Sequence, residues 1–207
     1  MKLYYSTGAC SLADHIVLEW IGKPYTTQRV SREERASAEY KQKVNPAGAV
    51  PVLEQDGWLL TQNAAILNFL ADSFPQAKLG GDGTPKGRAE VNRWLAFVNS
   101  DVHGAFKPIF SPLRYLPDET RSGDVVDAAR VRVRDFLVRL DAQLDGRDWL
   151  TGTRSIADPY LFVMLRWAVA QEIDLADLRN LVRFMERMYD DADVQVAIGA
   201  EEGLAIA

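Results

Sequence analysis

Between Pro75 and Pro85 the chain interrupts its own pattern: Gly80, Gly81 and Gly83 fall within four residues, bracketed by the two prolines. Such a run sustains neither helix nor strand, and its two sides ask for different secondary structure. Every strand signal lies before it. Beyond it, apolar residues recur only at helical spacing. A two-part fold follows, a mixed α/β unit leading through a linker into an all-helical one, and 207 residues suffice for two small cores.

The first part opens on Leu3-Tyr4-Tyr5, residue types that favour strand. Thr7-Gly8 turns the chain. Leu12, Ile16 and Trp20, four residues apart, then make one apolar helical face that Gly22 and Pro24 close. Tyr25–Val30 is expected to be a second strand, completing a βαβ unit. Ser31–Lys43 is charged and weakly helical. The stretch Val44-Asn-Pro-Ala-Gly48-Ala-Val50-Pro51 forbids regular helix and makes a shaped loop, with Pro51 opening the next strand. Val52–Gln55 and Trp58–Thr61 flank Asp56-Gly57, the strongest short hairpin signal. A helix from Gln62 to Phe74 is stopped by Pro75. The order is β-α-β-loop-β-β-α.

In the second part, Val91, Trp94 or Leu95, Val98 and Val102 mark a helix expected to break near Pro108. Val126, Ala129, Val133, Phe136 or Leu137, Leu140 and Leu144 mark another, ended by Gly146. Ser155 and Asp158 match a capping box with Asp in the place of Glu. The helix it starts, through Tyr160 and Trp167, is apolar nearly all round and must be central. A last helix is expected from Leu178 to Tyr189. No internal repeat or low-complexity tract occurs.

The formal charge of −5 gives no general attraction to nucleic acid or an anionic membrane. Arg130, Arg132 and Arg134 are expected on a solvated helix face. A single cysteine excludes a disulfide scaffold and favours a reducing compartment. No leader-like segment or uncharged membrane-length window occurs, so a cytoplasmic location is expected. Metal-ligand spacings, phosphate loops and a Ser-His-Asp order are missing from the sequence.

Cys10 remains, at the mouth of the first helix. Unpaired N–H groups and the positive end of the dipole converge there and stabilise a thiolate, the protein's own or a ligand's. A lone cysteine is ordinarily a small buried hydrophobe, but the strand-loop-helix setting points to function. His103, in the second part, is the other candidate. His15 is expected at the surface, and Trp167 and Phe110 in the core.

The words Tyr-Tyr-Ser-Thr-Gly-Ala-Cys10-Ser-Leu, Val44-Asn-Pro-Ala-Gly, Val50-Pro51 and the Ser155–Asp158 box occur in an order that resembles the glutathione transferase family. Gly-Ala-Cys-Ser together with His103 resembles its bacterial beta class. The resemblance covers nearly the whole chain. It implies an α+β fold: a thioredoxin-like glutathione-binding domain over 1–77, a linker over 78–85, and a helical domain over 86–207 lining the electrophile site. It implies a cis Val50–Pro51 bond whose Val50 backbone pairs with the cysteinyl part of glutathione. Gln62 and Asn63 would receive the γ-glutamyl carboxylate, as helix N-termini favour, although the family has Glu-Ser or Gln-Ser here. Arg35 or Arg32 would steady the glycyl carboxylate. Cys10 would contact the sulfur as hydrogen-bond donor or mixed-disulfide partner, with Tyr5 and Ser11 as fallback donors. His103 would be a second donor or base, and Gly104 stands where the family often has Lys. Ser100 matches a position through which a partner subunit reaches glutathione.

The activity so implied is conjugation of the glutathione thiolate to a hydrophobic electrophile in detoxification, by a homodimer with glutathione as co-substrate and no resident cofactor or metal. Two alternatives stand beside it. One is glutathione-dependent thiol–disulfide or reductive chemistry through Cys10. The other is a binding protein of the same fold without activity, since a fold alone does not fix function.

Overall fold

A computed structural model describes residues 1–203. Four strands form one sheet: β1 (Lys2–Tyr5), β2 (Thr26–Arg29), β3 (Val52–Gln55) and β4 (Trp58–Thr61), in the order β2-β1-β3-β4. β1 runs parallel to β2 and antiparallel to β3, with Leu3 opposite Thr27 on one side and Leu53 on the other. The α1 helix (Leu12–Ile21) supplies the crossover between β1 and β2, ended by Gly22 at φ +66°. β3 and β4 join through Asp56 and Gly57, both at positive φ, the tight turn expected of that dipeptide.

Alternation along the strands sorts the side chains into two layers. Leu3, Tyr5 and Leu53 join α1 and α4 (Asn63–Ser73) in the large core. Tyr4 and Val52 point the other way, onto Val30 and Tyr40. Tyr40 belongs to α3 (Ala38–Lys43), which follows the short α2 (Arg32–Ala36). Between α3 and β3 lies the loop that will matter most.

Beyond the linker every element among the described residues is helical. α5 (Pro85–Ala96) passes through a π-helical stretch, Phe97–Val102, into α6 (His103–Phe110). The irregularity therefore falls before the expected break, and the helix runs through Pro108. α8 (Ala157–Ala170) packs against α1, α5, the π-helical stretch and α9 (Arg179–Asp190), and α7 (Ser122–Gln143) packs against α6 and α9. α8 is buried along most of its length, and each fully buried large side chain, such as Phe162, contributes roughly 1.5–3 kcal/mol.

The Asp158 carboxylate accepts from the N–H of Ser155 (2.7 Å), from its hydroxyl (2.8 Å) and from Leu150 N–H (2.9 Å). Half of the expected box is present. The serine hydroxyl donates to the carboxylate instead of capping the amide at Asp158.

One helix was not expected. α10 (Ala192–Glu202) follows α9 and returns to pack on α1. There Glu201 meets His15, with 3.4 Å between Oε1 and Nδ1. His15 is 1% exposed, so the surface placement is corrected: its ring is buried beneath α10, where the Glu201 carboxylate meets it. No helix among the described residues is long and apolar enough to cross a membrane.

Candidate functional site

A cleft of about 390 Å³ lies where the two parts meet. Its N-terminal wall starts at Cys10, in the turn before α1. Asn63 reaches across to hold this turn, its Nδ2 donating to the Cys10 carbonyl at 2.9 Å. The Cys10 side chain is buried, and burial, reinforced by the charge of Asp14, pushes its thiol up to about 12. Helix-dipole reasoning expected a favoured thiolate. Desolvation outweighs the dipole, and Cys10 is a thiol at neutral pH.

The loop after α3 continues this wall. Asn45 ties its two ends, donating to the Ala49 carbonyl (2.9 Å) while accepting from Ala47 N–H (3.0 Å). Tyr40 hydroxyl donates to the same Ala49 carbonyl at 2.9 Å. Gly48 sits at φ +62°, and a Cβ there would come within 2.7 Å of the Arg35 carbonyl. Only glycine lets the loop press so closely on α2. That approach sets Arg35, Val50 and Pro51 on the cleft, and the Val50–Pro51 bond is cis.

Gln62 and Asn63 complete the wall at the start of α4. Gln62 holds φ +74°, ψ +114°, an uncommon conformation for a residue with a side chain, and its side chain caps no helical N–H. Asn63 Oδ1 and Arg35 Nε are buried without a partner among the described residues. Both suit a polar ligand.

The helical wall is built differently. Asn99, His103 and Lys107 line the cleft at intervals of four along the α5–α6 helix. In a straight α-helix that spacing drifts around the axis, and the wider π turn at Phe97–Val102 offsets the drift. From α8 come Tyr160 and Trp167. Tyr160 Oη donates to Asn99 Oδ1 (3.1 Å) and lies 2.7 Å from His103 Nδ1. Tyr160 thereby ties His103 to Asn99, and in the neutral ring Nε2 takes whichever of the donor and acceptor roles Nδ1 leaves to it. Burial, then the Lys107 charge, pushes His103 down to about 4. The imidazole is neutral at pH 7. Trp167 stands against it, ring centroids 5.0 Å apart, and donates Nε1–H to the Gly8 carbonyl at 2.8 Å, joining the walls.

Cys10, Arg35, Val50, Pro51, Gln62, Asn63 and His103 are thus brought together. Ser100 is not: its hydroxyl lies 2.8 Å from the Ala96 carbonyl and 2.6 Å from the Asp101 carboxylate, and it does not line the cleft. Ser11 is fully buried and bonded to Ser6, and Tyr5 is buried with its hydroxyl 3.4 Å from the Ala200 carbonyl, so neither fallback donor lines the cleft. Arg32 is exposed at the start of α2 and also off it. The core assignments of Trp167 and Phe110 need correction, since Trp167 lines the cleft and Phe110 is 48% exposed.

Asn45, Asn99, Lys107 and Tyr160 escaped the sequence reading. The four-residue spacing from Asn99 to Lys107 was the available signal for two of them. A larger hollow, about 920 Å³, follows the linker; of its charged groups Asp82 bonds to Thr84, Arg88 to Asp72 and Arg154 to Asp191, which leaves Lys78.

The family models for the glutathione S-transferase N-terminal and C-terminal domains match residues 9–73 and 106–191. Glutathione S-transferase GST-4.5 of Xanthomonas campestris is 52% identical over 202 residues, covering 97% of this chain and 98% of that protein. The solved glutathione S-transferase of Xylella fastidiosa is 47% identical with a TM-score of 0.93, covering 98% of each chain. A beta-class glutathione S-transferase of Sphingomonas chungbukensis is 36% identical with a TM-score of 0.85, covering 97% of this chain and 98% of that one.

Proposed function

The chain belongs to the glutathione S-transferase family of enzymes, with solved relatives in the bacterial beta class, and on that footing we propose that it conjugates glutathione to hydrophobic electrophiles in this cleft. The observation that carries the reading is the placement of Cys10 and His103 on opposite walls of a cleft that the described residues line with two cations and no carboxylate. Glutathione brings two carboxylates and a thiol. In this reading the start of α4, with Gln62 and Asn63, takes the γ-glutamyl carboxylate. Arg35 takes the glycyl carboxylate, and the Val50 backbone pairs with the cysteinyl unit. The division of labour is that of a glutathione-binding domain over 1–77, a linker over 78–85 and a helical domain over 86–207.

The sulfur then lies between Cys10 and His103. Cys10, held as a thiol, donates a hydrogen bond to the glutathione thiolate, and the neutral His103 ring offers the sulfur a second hydrogen-bonding group through Nε2. A thiolate of Cys10's own is disfavoured, which weighs against thiol–disulfide chemistry as the main activity. We place the enzyme in the cytoplasm as a homodimer without resident cofactor, Ser100 facing the partner subunit and the physiological role being detoxification.

The test is conjugation of a chloro-dinitrobenzene by the native chain, Cys10→Ala and His103→Gln. Loss of one hydrogen bond to a charged group corresponds to about 1.5–3 kcal/mol, so each variant should lose ten- to hundredfold in kcat/KM. The native profile against pH should rise once, with the bound thiol, and show no inflection near the ordinary histidine value, because His103 titrates near 4. Full activity in both variants would overturn the reading.

A further inference from the structure

The proposed binding of glutathione leaves one charge of the cleft unused. Among the described residues Arg35 and Lys107 are its two cations, and neither Asp nor Glu lines it, in a chain whose formal charge is −5. Arg35 stands on the N-terminal wall beside Gly48 and Val50, where the tripeptide lies. Lys107 stands on the opposite wall, one helical turn beyond His103. None of the ion pairs among the described residues engages it. An exposed lysine with no partner is ordinary. This one lies on a stripe whose other members, Asn99 and His103, face the same cleft.

Its surroundings supply the second half of the argument. The next turn of α6 carries Phe110, 48% exposed. The Phe110 and Trp167 rings meet edge to face with centroids 5.0 Å apart, and Phe106 braces both from the core. Trp167 in turn touches His103. Trp167 in the cleft and Phe110 just outside its lining thus form an apolar corner beside His103, with Lys107 between His103 and Phe110 along the helix. An aromatic ring fits such a corner, and a neutral ring leaves the ammonium unanswered.

We infer that the electrophile this enzyme is built to take is an aromatic compound bearing an anionic substituent, its ring on the Phe110–Trp167 face and its anion on Lys107 Nζ. The inference rests on the conjugation reading above. In the step itself the glutathione sulfur forms a bond to the ring carbon that carries the halide. The carbon–halogen bond breaks, the halide leaves with its electron pair, and the thiol proton goes to solvent. Lys107 takes no part in bond making. It acts as a specificity-determining residue.

A matched pair of substrates tests this: a chloro-dinitrobenzoate and its uncharged amide, with the same ring and leaving group. The measured quantity is the ratio of their kcat/KM values. The native enzyme should prefer the benzoate. Lys107→Met should lower the ratio three- to tenfold, Lys107→Glu should lower it further, and Lys107→Arg should hold it near native. A ratio that Lys107→Met and Lys107→Glu leave unmoved, including the case where both substrates slow equally, overturns the inference and leaves conjugation intact. Failure of the native enzyme to conjugate either compound overturns the conjugation reading itself, and the inference with it.

Discussion

The N-terminal wall of the cleft is held in place by loop geometry, whereas the helical wall is held by the packing of side chains against one another. On the first, Gly48 permits a backbone approach to Arg35, Asn45 and Tyr40 pin Ala49, and Gln62 keeps a costly conformation. On the second, Asn99, Tyr160, His103 and Trp167 hold one another through hydrogen bonds and ring contacts anchored in buried helices. A loop-built wall suits a ligand that is always the same. A packed wall can change its apolar lining without disturbing that ligand. Damage to the first should therefore appear in glutathione affinity, and damage beneath the second in folding.

The largest effect is expected at Asp158, which anchors the start of α8. Asp158→Ala strands the buried N–H groups of Leu150 and Ser155, for a cost of roughly 4 kcal/mol in all. At this chain length that corresponds to a fall of about 10 °C in Tm. Burial also holds the Asp158 carboxyl up to about 6, above its unfolded value. Its titration therefore favours the folded state most below the unfolded value and progressively less as pH rises through 6. Native stability measured across that interval should carry this slope, and the alanine variant should lose it. A variant that melts like the native chain would break the comparison.

A smaller loss is expected on the other wall. Gly48→Ala places a methyl 2.7 Å from the Arg35 carbonyl at a φ of +62°, costing roughly 2 kcal/mol. Here the informative readout is calorimetric titration with glutathione. The loop carrying Val50 and the helix carrying Arg35 must separate, so Kd should rise about tenfold. Unchanged affinity alongside lowered stability would mean that the loop does not position the ligand.

How well each wall could be read from the sequence follows the same division. The loop, the Asp56-Gly57 turn and the entry of Pro51 into β3 were legible because unusual backbone demands special residues. Glycine and proline write those demands into the chain itself. The stripe from Asn99 to Lys107 was only partly legible, since the π stretch shifts the phase that an ideal helix would give. Tyr160 was hidden among apolar neighbours that all face inward on α8. His15 and α10 were missed for a related reason: the carboxylate that meets the buried histidine comes from Glu201, 186 residues away, and α10 buries only small or scattered apolar groups. Local chemistry can be read locally, while packing between distant segments cannot.

Gln62 gives the smallest and sharpest test, because there the two readouts should move in opposite directions. At φ +74° a side chain costs on the order of 1–3 kcal/mol, and glycine pays none of it. Glycine also loosens the unfolded chain, which takes back part of the gain. Gln62→Gly should therefore stabilise the fold by about 1 kcal/mol by thermal unfolding. It should also weaken glutathione several-fold, because the side-chain amide at the head of α4 is lost. A gain in stability paired with a loss of affinity would mean that the strain is retained for the ligand's sake. Stability and affinity falling together would instead make Gln62 an ordinary packing residue, and the N-terminal wall would then be held by the same means as the helical one.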